Sequence, residues 1–119
     1  MTSTDRRIIG GVVHGIGNAL YENMICDRDS GQPVTTNFGD YLLPIATEMP
    51  SIHLEHTESP SPLNSLGVKG AGEGGTIPGI ACIVAAAEDA LKSLGVKVNE
   101  YPLSPERILQ LIDEKRGKG

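Results

Sequence analysis

A single carboxylate set in a run of glycines is the feature of this chain that points most directly to chemistry. Leu66–Thr76 reads LGVKGAGEGGT, with five glycines, one lysine and one glutamate. Glycine-dense backbone is costly to order, and is used where φ must be positive or where another group comes very close. Glu73 stands between Gly72 and Gly74, so main chain rather than neighbouring side chains holds it. A glycine loop feeding a helix N-terminus suits an anionic ligand. Glu73 itself suits a general base, which needs a fixed position and little crowding to reach a buried ligand. A helix N-terminus favours the ionised carboxylate, whereas burial favours the neutral acid. The plainer reading is a helix-start glutamate that interacts with the dipole.

Other patterns carry less. Gly70, Gly72 and Gly75 match G-x-G-x-x-G ahead of an expected helix. A dinucleotide fingerprint also needs a preceding apolar strand and an acidic residue about 20 positions on. Glu100 stands near the second place, but SPSPLNSLG makes a poor buried strand, and Glu73 would oppose a pyrophosphate. The P-loop pattern fails because no Lys-Ser/Thr pair follows the last glycine. His53 and His56 form H-x-x-H, whose side chains fall on opposite faces of a strand. His14 reads as a packed or surface histidine. No metal ligand set is assigned, and no Ser-His-Asp or Cys-His set assembles from the spacing.

Several elements must position the glycine loop. Residues 1–7 are polar, and residues 1–8 are expected to be a mobile tail. From Ile9 a helical period places Ile9, Val12, Val13, Ile16, Leu20 and Met24 on one face, ending at Cys26 and Asp27. Gly10, Gly11, Gly15 and Gly17 interrupt it. Each interior glycine costs about 1 kcal/mol against alanine, so either tight packing or close approach of a ligand must compensate. Asp27–Asn37 is a turn-rich surface connection, and Phe38–Met49 is irregular around Pro44. Ser51–Glu58 and Val96–Tyr101 alternate and are expected to be strands. Thr76–Leu94 is the strongest helix, with Thr76 as N-cap, Pro78 in the first turn and Gly95 as C′ residue. No charge occurs from Gly74 to Ala87, so burial around most of the circumference is expected. A last helix starts at Ser104–Pro105 and stops at Gly117. The expected class is α+β, a mixed sheet with packed helices.

The whole chain has 119 residues, enough for one domain, and a net charge of −5. Clustered basic residues for nucleic acid are missing apart from a short Lys115–Lys118 tail, and aromatic content is 3%. Cys26 and Cys82 lie far apart and read as free thiols of a reducing cytosol, though a single disulfide stays open. No run reaches membrane-spanning length, and the start MTSTDRR lacks a signal-type apolar run. A soluble cytoplasmic protein is expected.

Three separated motifs resemble one family. NSLGVKGAGEGGTIPGIACIVAAAEDAL, Asn64–Leu91, is similar to the C-terminal signature of the molybdenum hydroxylase large subunits. That family includes xanthine dehydrogenase, aldehyde oxidase and aerobic carbon monoxide dehydrogenase. Its pattern G-x-K-G-x-G-E falls on Gly67, Lys69, Gly70, Gly72 and Glu73. GGVVHGIGNALYEN, Gly10–Asn23, resembles the family's glycine-rich helix, where the place of His14 is frequently a glutamine. NFGDYLLPIATEMPSI, Asn37–Ile52, resembles its DY-x-x-P connection. The resemblance implies that residues 9–116 form one molybdopterin-binding-type C-terminal domain. It implies that Glu73 is the active-site base of a molybdenum-dependent hydroxylation. It also implies that Lys69, Gly70, Ala71 and Gly72 line the pterin, expected as the cytosine dinucleotide form. Molybdenum is then held by the pterin, and no protein side chain need ligate it.

The resemblance reaches only the last portion of a subunit several hundred residues long. The regions that hold most of the pterin are not represented. The chain is therefore expected to be inactive alone. It is either one piece of a split molybdenum hydroxylase joined by other chains, or a stand-alone, non-catalytic orphan domain. The apolar helix Thr76–Ala87 calls for a covering surface, from a partner chain or self-association.

Overall fold

The computed structural model describes residues 2–117. Three helices carry it: α1 over Ser3–Leu20, α2 over Gly79–Leu91 and α3 over Pro105–Arg116. Short 3₁₀ turns stand at Ala46–Glu48 and Lys92–Leu94. Lys118, part of the basic tail, lies outside the described residues.

α1 begins earlier than its apolar period. The Asp5 N–H donates to Thr2 Oγ1 at 3.1 Å, and the Asp5 carboxylate accepts from the Thr2 N–H at 2.6 Å. This reciprocal box satisfies two donors that a helix start otherwise leaves free. Ser3–Arg7 thereby joins the helix, which ends at Leu20 and not at Met24. Asp5 also receives His56, with Nε2 2.7 Å from Oδ1. The Thr2 N–H first, and the His56 ring next, hold the Asp5 carboxyl down to about 2 from the ordinary 3.8. A carboxyl lowered on folding contributes stability that is complete above about pH 4 and lost as pH falls through its folded value. Fraying of the first turn is thus expected between pH 4 and pH 2, read from the amide resonances of Ser3–Arg7. Asp5→Asn should flatten that limb.

The glycines of α1 are explained by what lies against them. A Cβ built on Gly15 would stand 2.7 Å from the Gly79 Cα. One built on Gly11 would stand 2.9 Å from the Thr76 nitrogen, and one on Gly17 3.1 Å from the Pro44 Cδ. Gly11 and Gly15 are four apart and share a face, so the chain from Gly75 to Gly79 rests on α1 backbone to backbone. Tight packing accounts for these two positions. Gly10 has nothing within 4 Å of its added Cβ.

The α+β expectation is corrected: among the described residues there is no strand, only one isolated antiparallel bridge between Cys26 and Pro33. Alternation correctly reported which side chains face inward. Ile52 and Leu54 are half-buried where His53 and Glu55 are exposed, and Val96 and Val98 are buried where Lys97 is exposed. A sheet also requires a backbone neighbour for the N–H and C=O groups. Here the Val98 N–H donates instead to Glu88 Oε2 of α2, at 2.9 Å. The buried face of 96–98 serves helix packing, not a ladder.

Val96, Val98 and Leu103 form the small core, flanked by Leu20, Val84, Ala87, Leu91, Ile108, Leu111 and Ile112. The Leu103 N–H donates to the Ala19 carbonyl at 2.7 Å, which joins the end of α1 to the lead-in of α3. Ser104 caps α3, its Oγ accepting from the Arg107 N–H at 3.1 Å, and Gly95 takes the left-handed φ of 67°. Both follow the sequence expectation. The apolar helix does not: no residue of α2 is buried. Ile77, ahead of it, is 72% exposed, and Leu63 and Leu66 are 92% and 82% exposed. The radius of gyration is 18.3 Å, against about 13–14 Å for a compact domain of this length. The chain is elongated and leaves much of its apolar surface open.

Candidate functional site

The glycine loop is tied at one end by side chains and at the other by a turn. Gly67 has a φ of +65°, and a Cβ there would lie 2.9 Å from Pro60 Cβ, so glycine is required. The Asn64 amide bridges both polar groups of Val68: Nδ2 donates to the Val68 carbonyl and Oδ1 accepts from the Val68 N–H, each at 3.0 Å. The Gly67 carbonyl accepts from Ser61 N–H at 3.0 Å, and Lys69 Nζ donates to Ser59 Oγ at 3.1 Å. At the far end the Glu73 carbonyl accepts from the Thr76 and Ile77 N–H groups, both at 3.1 Å.

α2 starts at Gly79, with Pro78 as its cap residue and no side-chain cap bond. Thr76 therefore does not cap it, because Gly75 and Thr76 are occupied against α1. Glu73 lies six positions before the helix. A dipole's influence falls off within the first turn, so the helix-start reading of Glu73 loses its footing.

Lys69, Gly70, Ala71, Gly72 and Glu73 share one exposed segment. The glycines divide by cause. Gly67 is required by φ, and Gly75 by contact with the Ile8 carbonyl and, at 2.9 Å, the Val12 nitrogen. Gly70 and Gly72 have neither a positive φ nor any atom within 4 Å of an added Cβ. Their bareness serves no contact among the described residues. A groove lies elsewhere, between α2 and residues 95–98, lined by Val84, Glu88, Lys92 and Lys97 among others.

The weaker candidates disperse. Glu100 pairs with Arg107, Oε1 accepting from Nη2 at 2.6 Å and from Nε at 2.9 Å, and so is not placed to read a ribose. Glu100 first, and Glu114 next, push the Arg107 pKa up. His53 and His14 are exposed. Among the described residues no three His, Cys, Asp or Glu could hold a metal ion, and no helix is long and apolar enough to cross a membrane. Both cysteines are free. The only sequence signal for Asn64 is its place ahead of a glycine turn, since asparagine is a turn-former.

Residues 2–50 match the family model described as a molybdopterin cofactor-binding domain. That match covers the first part of the chain only, and the relatives extend the similarity over most of it. It is 48% identical over 107 residues to the gamma subunit of the 6-hydroxypseudooxynicotine dehydrogenase complex of Paenarthrobacter nicotinovorans, covering 89% of this chain and 13% of that one. It is 38% identical over 109 residues to the nicotine 6-hydroxylase large subunit of the same organism, covering 92% and 13%. Among solved structures, quinoline 2-oxidoreductase from Pseudomonas putida 86 superposes with a TM-score of 0.88 at 44% identity, over 92% of this chain and 14% of that one. The chain is a relative of the molybdenum hydroxylase large subunits, the xanthine dehydrogenase and carbon monoxide dehydrogenase family, and corresponds to a segment of them. It spans about 13% of the length of the curated relatives it matches.

Proposed function

We propose that this chain supplies the Glu73-bearing loop to a molybdopterin-dependent hydroxylase completed by other polypeptide, and has no turnover alone. The observation that carries the reading is the pair Gly70 and Gly72, bare on their outer side with no internal cause, directly before an exposed carboxylate. A flat cofactor lying against main chain needs such a surface, so the residues present fit the group. The bound cofactor would supply the redox chemistry. Lys69–Gly72 would give it a close backbone wall, and Glu73 would accept a proton from the attacking oxygen. The cytosine dinucleotide form of the cofactor and a single domain belong to this proposal, the domain's start moved from residue 9 to Ser3, where α1 begins.

Inactivity alone is supported by the same exposure, since a general base without enclosing walls faces bulk water. The uncovered Leu63, Leu66 and Ile77 support a covering chain. The test is co-expression with the neighbouring genes, capture through this chain, and assay of molybdenum and pterin. A partner carrying both is expected. A chain recovered alone, self-associated and metal-free, would instead favour a non-catalytic domain that acts only by association.

A further inference from the structure

We infer that Asn64 is a positioning residue, a clamp that sets where the Glu73 loop sits. The inference rests on the proposed function for its catalytic consequence and on geometry alone for the clamp. Between Val68 and the turn that opens at Glu73, the loop is bare backbone around Gly70 and Gly72. Its position is decided by its two ends. The far end is fixed by the turn over Glu73–Gly79, which rests on Gly11 and Gly15 of α1. The near end is fixed by Asn64, which takes both the N–H and the carbonyl of Val68 at 3.0 Å.

The orientation of the amide is chemically forced. The Val68 N–H needs an acceptor and the Val68 carbonyl a donor, and one asparagine offers both. The five-residue loop from Asn64 to Val68 closes over Gly67, whose positive φ admits glycine and whose carbonyl is held by Ser61. Alanine at position 64 removes both bonds but keeps that φ, the Gly67 N–H bond to the residue-64 carbonyl and the Ser61 bond, so Val68 and Lys69 loosen while the helices stay packed. Lys69 keeps only its contact with Ser59.

Two measurements test this. In the full chain, trypsin cleavage after Lys69 followed by mass spectrometry should be about ten times faster in Asn64→Ala than in the wild type, since local opening governs cutting. The far-UV helical signal should be unchanged. Asn64→Asp keeps the acceptor for the Val68 N–H and should show a smaller acceleration. In the molybdenum-loaded assembly, Asn64→Ala should lower kcat about ten-fold with KM and molybdenum content unchanged. An unchanged cutting rate overturns the clamp. Faster cutting with unchanged kcat overturns the positioning role. If the wild-type assembly carries no molybdenum, the functional reading fails, and with it the positioning role, while the cutting rate alone still decides the clamp.

Discussion

Glu73→Gln is expected to lower turnover of the complete assembly by about 10²–10⁴-fold, the usual worth of a positioned proton acceptor. The substitution keeps side-chain length and removes the ability to take up a proton. Its structural cost should be small. The Glu73 carboxylate is exposed and has no hydrogen-bond partner among the described residues. The turn is held through the Glu73 carbonyl, which glutamine retains. A surface change of that kind shifts stability by less than about 0.5 kcal/mol. Molybdenum and pterin content should match the wild type, and KM should move little. Loss of kcat together with loss of molybdenum would mean that Glu73 builds the site rather than working in it. Unchanged kcat would remove the base assignment altogether.

The second large effect concerns the contact between α1 and the start of α2. Gly15→Val is expected to destabilise the chain by about 3 kcal/mol, at the upper end for overpacking a filled site. The atom that a new Cβ meets, the Gly79 Cα at 2.7 Å, belongs to main chain and cannot rotate away. Gly10→Ala is the matched control in the same helix. Nothing lies within 4 Å of its added Cβ, and the helix gains about 1 kcal/mol in propensity. The two changes should therefore move the thermal midpoint, followed by circular dichroism, in opposite directions. Equal shifts would mean that helix propensity, not the contact, governs these positions.

How far the sequence carried depended on whether the signal was local. Ser104–Pro105 and Gly95 were legible because a cap and a left-handed turn need only their own few residues. The start of α1 was missed: residues 1–8 read as a mobile tail because they stand ahead of the apolar period that begins at Ile9, and the Thr2–Asp5 box that extends the helix involves no apolar side chain. The start of α2 was misplaced because Thr76 looks like a cap until α1 is laid against it. The strands at 51–58 and 96–101 failed for a different reason. Alternation records which side chains face inward and is silent on what the backbone bonds to, and at Val98 that was a glutamate side chain. The density of glycine around Glu73 was visible at once. The division of those glycines into ones that fit this chain and ones left bare required every neighbour in space.

The glycine contact also limits how this protein can change over generations. At an ordinary packed site, a residue that grows can be matched by a neighbour that shrinks. Gly15 faces Gly79, and glycine has nothing left to give up. No shrinking of the facing residue can relieve a side chain introduced at either position. Genetic suppressors of Gly15 substitutions should be found among changes that let α1 or the 75–79 turn move as a body, and not at the partner glycine.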